Sequence, residues 1–362
     1  MALPFLNSKG TRKRTQMISV DLGARTTKAV LLEQRGDVWA LTRYVLMDAP
    51  IVEKKISTEL LTEHLKAVVE VLGAKVKPVT VALGLDDAVV RLVDLPQIPV
   101  DEMRLVLKNN TKIYLQQDLP GHVFDCYIFP PKAPVNGKPA GEASKNTGPA
   151  NKLKVLVTAA KQPLVNDYQA AIKECGLTAD CLVPGFVSLV NAFELAQPEI
   201  FKNESVALVD IGFKQTSICV LNAGEMALMR VVNIGGDRLT AGLAETMSIS
   251  YAEAEGIKIG MAPEVMSSLE MHVQPLGREL RASLDFFEHQ NDRAVSEVYI
   301  SGGTARSEMI REILRAELIV ECKVWDPTAF LQLALPGQQS VELEHVRSQL
   351  TVAIGAALAA IN

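Results

Sequence analysis

The sequence is poor in several things, and each shortage removes a class of function. Aromatic residues make up 5% of the 362, which leaves few platforms for stacking single-stranded nucleic acid. There is no basic excess: the formal net charge is −5, which argues against a general nucleic-acid binder. The five cysteines (Cys126, Cys175, Cys181, Cys219 and Cys322) are odd in number and form no CxxC or Cys/His cluster, so a structural zinc site is not expected. Cys126 and Cys219 lie in strand-like runs and read as buried, reduced thiols. The longest apolar runs, such as Val352 to Ile361, fall short of the ~20 residues that span a bilayer. Residues 1–16 lack the apolar core of a secretory signal. A cytoplasmic location is therefore expected. What the chain has in plenty is apolar mass: hydrophobic residues are 48% of the total, enough for two domains with ample cores.

The organising stretch is Ile18 to Leu32, ISVDLGARTTKAVLL. It predicts strand, tight turn, strand. The turn from Gly23 to Thr27 is small and hydroxylic, so backbone N–H groups and hydroxyls can converge on one anion. Asp21 stands at the mouth, where a carboxylate can hold a hydrated divalent cation against phosphate oxygens. Lys28 is a candidate charge partner. Alone, such a hairpin is equally an ordinary turn with glycine at a positive φ. It recurs, however. Ala207 to Leu221, ALVDIGFKQTSICVL, repeats the order, with Asp210 for Asp21 and Gly212 for Gly23. Thr216 and Ser217 stand where Thr27 and Lys28 stand. Two such hairpins predict a pseudo-duplicated α/β protein with a ligand between its halves.

Two glycine turns follow. Gly235-Gly236 leads into a helix, and Ser301-Gly302-Gly303-Thr304-Ala305 opens another. Glycines between a strand and a helix let a nucleotide approach the backbone closely. Elsewhere a helix begins at Ser57 and stops at Gly73, carrying His64 as a packed or surface residue. A helix from Asp101 to about Gln117 and one from Leu276 to Gln290 are expected. Residues 130–151 are rich in proline and glycine and predict an exposed loop. Residues 1–16 carry Lys9, Arg12, Lys13 and Arg14. They read as a solvated arm, or as a weak lipid contact through Leu3, Phe5 and Leu6.

The order Asp21 hairpin, Asp210 hairpin, Gly235-Gly236, Ser301-Gly302-Gly303 resembles the actin-like ATPase superfamily, which includes actin, chaperone ATPases, sugar kinases and FtsA. Several stretches narrow the resemblance to the PilM family of type IV pilus assembly: the basic arm, VTVALGLDDAVVRLVDLP at 79–96, the run from Val155 to Leu182, AEAEGIK at 252–258, and LRASLDFFEHQ at 280–290. The likeness spans most of residues 17–362. It implies two RNase H-like domains with an FtsA/PilM-type inserted subdomain. The implied division is a first domain of 17–87 and 180–203, an inserted subdomain of 88–179, a second domain of 204–238 and 296–362, and a helical subdomain of 239–295.

The resemblance also implies roles. Asp21, Gly23, Thr26, Thr27 and Lys28 line the first phosphate turn, and Asp210, Gly212 and Thr216 the second. Gly235 and Gly236 approach ribose or phosphate. Glu255 and Lys258 reach adenine and ribose, and Gly302, Gly303 and Ala305 the adenosine. ATP and Mg²⁺ are the implied cofactors, with Asp21 and Asp210 serving the metal. The implied partner is the N-terminal cytoplasmic tail of a PilN-like inner-membrane protein. Further pilus assembly proteins and self-association follow, with membrane contact only through partners. Hydrolysis is expected to be slow at most, since no residue stands out to orient a water. Two other functions belong to the same superfamily: a small-molecule kinase, and an FtsA-like filament-forming membrane adaptor. The chain departs from the family pattern at two turns. Ala24-Arg25 follows the first Asp-x-Gly, and Phe213-Lys214 the second, where small or hydroxyl residues are usual.

Overall fold

The computed structural model describes residues 14–52, 56–129, 152–260 and 265–361. Most of the basic arm, and the whole of the expected loop at 130–151, lie outside them.

The chain opens on an antiparallel meander. β1 (Gln16–Leu22) pairs with β2 (Thr26–Arg35), and β2 with β3 (Val38–Asp48). Met17, Ile18, Ser19 and Val20 are all buried, so β1 is covered on both faces, as a central strand is. α1 (Thr58–Leu72) follows. The Ser57 hydroxyl accepts from the Leu60 amide at 3.2 Å, and Gly73 ends the helix at φ 64°, a left-handed conformation suited to glycine. The stripe Leu61, Leu65, Val68 and Leu72 packs on the sheet. β4 (Pro78–Leu83) then lies parallel beside β1.

β5 (Ala88–Pro96), α2 (Val100–Asn109), α3 (Thr111–Leu115), β6 (His122–Ile128) and β7 (Lys152–Lys161) come next. Their strands form a separate sheet of order β5-β7-β6. The single helix expected from Asp101 to Gln117 is two helices. Asp101 lies in the first turn, and the cap position is Pro99. The break falls at Asn110, whose side-chain amide donates to the Val106 carbonyl at 3.0 Å and so competes with helix continuation.

α4 (Gln162–Glu174) leads to β8 (Thr178–Pro184), which pairs in parallel with β4. The sequence places α4 and the start of β8 inside an inserted unit ending near residue 179, yet both serve the first sheet. Val165, Tyr168, Ala171 and Ile172 of α4 are buried in the same core as the α1 stripe, and that apolar face decides where the helix sits.

α5 (Gly185–Ala196) and α6 (Pro198–Asn203) precede a second meander of β9 (Ser205–Ile211), β10 (Thr216–Asn222) and β11 (Glu225–Val232). Three helices follow: α7 (Gly236–Met247), α8 (Tyr251–Gly260) and α9 (Met266–Asn291). α9 begins well before the expected Leu276 and runs through Pro275. Its buried stripe, Leu269, Val273, Leu276, Leu280, Leu284 and Phe287, outweighs the one backbone hydrogen bond that proline removes. β12 (Glu297–Ser301), a short 3-10 turn at Gly303–Arg306, α10 (Glu308–Leu318) and β13 (Glu321–Val324) complete the second sheet.

The chain then returns. β14 (Gln332–Leu333) pairs with β3, α11 (Gly337–Val346) follows, and α12 (Thr351–Leu358) packs on β1 and α5. Leu350, Ala353, Ile354 and Ala357 share a core with Met17, Val30 and Leu32. The expectation that 296–362 belongs wholly to the second half is corrected here: its last stretch is core for the first.

The two large sheets run β14-β3-β2-β1-β4-β8 and β11-β10-β9-β12-β13. Each has a meander whose first strand is flanked on its far side by parallel strands. The same strand end therefore carries Asp21 in one half and Asp210 in the other. Between the sheets, Phe193 of α5 meets Tyr299 and Trp325 edge-on at 4.9 and 5.2 Å.

Candidate functional site

The first turn joins β1 to β2. Register pairs Asp21 with Lys28 and Leu22 with Thr27. Lys28 Nζ lies 3.3 Å from Asp21 Oδ2, both side chains being mostly buried. Thr26 is half-buried at the turn exit. Thr27 does not join it. Neighbouring strand residues face opposite ways, and Thr27 is buried with its hydroxyl 2.7 Å from His64 Nε2 of α1. Burial holds His64 below the ordinary imidazole range, so the ring is neutral and packed.

The second turn repeats this plan. Asp210 pairs with Ser217, and Ile211 with Thr216. Thr216 is fully buried and donates to the Ile234 carbonyl at 2.6 Å. It ties the turn down from behind and does not line the cleft. Asp210 Oδ1 accepts from the Ser301 hydroxyl at 2.8 Å. Burial pushes its carboxyl above the usual range. The Ser301 hydrogen bond and the Lys28 charge act against that, and the Asp21 charge adds to it. The Asp21, Lys28 and Asp210 charges thus act on one another across the space between the sheets.

The glycines form the walls. The Gly236 amide donates to the Gly212 carbonyl, and the Asp237 amide to the Phe213 carbonyl, each at 2.9 Å. These bonds dock the start of α7 beneath the second turn. A Cβ on Gly235 would stand 2.3 Å from the Phe213 carbonyl oxygen, and one on Gly236 would stand 2.5 Å from Thr304 Oγ1, so neither position admits a side chain. Gly302 sits at φ 92° and presses on the Ile211 backbone. A Cβ on Gly303 would stand 3.7 Å from Gln349 Oε1, an ordinary contact. Ala305 is a correction: its side chain is buried in the core of the second half.

Glu255 and Lys258 of α8 close the far side. Lys258 Nζ donates to Glu255 Oε2 and to Thr240 Oγ1, both at 2.7 Å, and to the Gly236 carbonyl at 3.3 Å. Burial lowers the Lys258 pKa, while Glu255 opposes that. This pair is a built polar cluster around the start of α7, not a solvated helix face.

Five residues outside the expected set take part. Ser301 fixes Asp210. Gln215 of the second turn donates to both Asp86 carboxylate oxygens, at 2.9 and 3.0 Å, and Asp86 lies in the β4–β5 turn of the first half. Arg25, from the first turn, lies over the Phe213 ring at 5.2 Å and 3.9 Å from Glu255 Oε2. The sequence signal for Arg25 and Phe213 is their bulk at turn positions where the family pattern has small or hydroxyl residues.

These residues suit a magnesium–polyphosphate ligand. A Cβ on Gly23 would stand 2.6 Å from the Thr26 carbonyl oxygen and 2.7 Å from Lys28 Nζ, so glycine keeps the first turn tight. Two carboxylates converge, but among the described residues no group of three or more His, Cys, Asp or Glu gathers for a metal. A cation here would complete its shell with water and ligand oxygens, as Mg²⁺ commonly does. Among the described residues, no helix is long and apolar enough to cross a membrane.

Comparison with known proteins agrees with this architecture. The family model described as type IV pilus assembly protein PilM matches residues 142–361. The cell division protein FtsA of Bacillus subtilis is 27% identical over 208 residues, which are 55% of this chain and 44% of that protein, so the chain spans less than half of that curated relative. Among solved structures, a chain of the PilM-PilN type IV pilus biogenesis complex superposes with a TM-score of 0.79 at 20% identity, over 97% of this chain and 99% of the other. MreB5 of Spiroplasma citri bound to ADP gives 0.51 at 12% identity, over 96% of each chain. The fold is that of the actin-like ATPases. The family match covers more than half of the sequence, and the chain belongs to the PilM family of type IV pilus assembly proteins.

Proposed function

We propose that this chain is a nucleotide-binding scaffold of a type IV pilus or related secretion machine. Its cleft takes MgATP, and its body binds the N-terminal cytoplasmic tail of a PilN-like inner-membrane protein. The observation that carries the nucleotide reading is the convergence of Asp21, Lys28 and Asp210 from two equivalent hairpins. Asp21 and Asp210 would share a hydrated Mg²⁺. The turn amides around Gly23 and Gly212, with Thr26 and Lys28, would hold the phosphates. Gly235 and Gly236 would admit ribose. Glu255, Lys258, Gly302 and Gly303 would line the nucleoside end. The MreB5 relative is bound to ADP, and the PilM relative is in complex with PilN; both relatives support the reading. In this division of labour the three-stranded unit is an appendage of the first half, and α7 to α9 form the helical subdomain of the second.

Nucleotide acts as a switch for the tail only if one cleft state binds the tail better than another. The test is calorimetric titration with MgATP of the wild-type chain, Asp21→Ala and Asp210→Asn, followed by titration with a PilN-like tail peptide with and without MgATP. Wild type binds MgATP, and both variants lose at least tenfold. A wild-type chain that binds no nucleotide removes the switch. A chain that ignores the peptide in both conditions removes the scaffold.

A further inference from the structure

Two of the bulky turn residues, one from each hairpin, meet each other. Arg25 crosses from the first turn to the face of Phe213 in the second, and its guanidinium also reaches Glu255. Turn residues that bulky would otherwise obstruct a phosphate site, so their contact needs a reason.

The cleft cations that contact its other residues supply one. Lys28 is held by Asp21, and Lys258 is buried among Glu255, Thr240 and the Gly236 carbonyl. Both are locked by neutralising or polar partners. Arg25 is different. Its side chain is about half exposed, at 46%, and its ion pair with Glu255 is long, at 3.9 Å. Exposed ion pairs and exposed cation–π contacts are individually weak. A guanidinium held so loosely, beside two phosphate turns, is available to a stronger anion. A phosphate offers the bidentate acceptor geometry that the planar guanidinium fork prefers.

We propose that Arg25 is a phosphate-binding residue of this cleft, able to exchange its weak contacts with Phe213 and Glu255 for a phosphate. The proposal rests on the nucleotide reading above and deepens it. With Gln215–Asp86, the Arg25–Phe213 contact links the two halves.

The experiment compares MgATP and adenosine binding by calorimetry for wild type, Arg25→Ala and Arg25→Lys. Thermal melting of each ligand-free variant reports folding. Arg25→Ala is expected to lower MgATP affinity at least tenfold and adenosine affinity less than twofold. Arg25→Lys, which keeps the charge but not the fork, recovers part of the loss. Equal losses for MgATP and adenosine in Arg25→Ala overturn the proposal, because the residue then only shapes the site. So does unchanged MgATP binding in that variant. Failure of the wild-type chain to bind MgATP overturns the nucleotide reading itself, which the variants cannot mimic.

Discussion

His64 and Thr216 make the hairpins what they are, from behind. His64 is buried against Thr27, and burial keeps its folded pKa below that of the unfolded chain, which is about 6.5. In the interval below about pH 6.5 the unfolded state binds a proton that the folded state refuses, so stability rises with pH there and is full above it. Urea unfolding at pH 7.5 and 5.5 should show a greater loss at the lower pH for wild type than for His64→Gln, by at most about 1.4 kcal/mol per pH unit. Equal losses would show that the ring is already protonated when folded. Thr216→Val leaves the Ile234 carbonyl without its partner and should cost about 1–3 kcal/mol, read as a shifted denaturation midpoint. The strand period already contains this division. Lys28 pairs across from Asp21, so its neighbour Thr27 must face the other way. Assigning both to one ligand surface ignores that alternation, and the same holds for Asp210 and Thr216. Arg25 and Phe213 are visible in the sequence as anomalies, but nothing in a linear chain says that two distant anomalies touch.

At the scale of elements, α12 owes its place to smallness. A Cβ on Gly355 would lie 1.7 Å from the Ser188 carbonyl oxygen of α5, and the Asn191 amide donates to the Gly355 carbonyl at 3.2 Å. Gly355→Ala must push the two helices apart, and overpacking of this kind costs about 1–3 kcal/mol or more. A Cβ on Gly256, inside α8, would meet nothing within 4 Å. There Gly256→Ala should stabilise by about 0.5–1 kcal/mol through helix propensity alone. Opposite shifts in melting temperature for the same chemical change check both assignments; shifts of the same sign would sink the packing argument. Helix starts and stops with side-chain chemistry are legible: Ser57 and Gly73 frame α1 as their types require. Elements whose fate depends on a distant partner are not. The stripe on α4 announces a buried face without naming the core it enters, and Pro275 is a stop signal that the long buried face of α9 overrides.

For the whole molecule the question is whether duplication makes two folding units or one. The repeated hairpins make the duplication readable, but they are silent on the join. In the fold, α5 and α12 lie between the sheets. Val183, Phe186 and Phe193 from the first half share one core with Leu208, Leu221, Tyr299 and Trp325 from the second. A core shared in this way couples the halves, because neither can unfold without exposing the other's apolar face. The two tryptophans offer independent reporters: Trp39 lies in β3 of the first sheet, and Trp325 just after β13 of the second. Trp325→Phe leaves Trp39 to report the first half, and Trp39→Phe leaves Trp325 to report the second. A single cooperative unit gives one denaturant transition within each variant, which far-UV circular dichroism follows at the same midpoint. Adding Phe193→Ala should then cost about 3–5 kcal/mol and lower both midpoints together. If only the Trp325 signal moves while the Trp39 transition stays in place, the halves fold separately and the cleft between them is held by its turns alone.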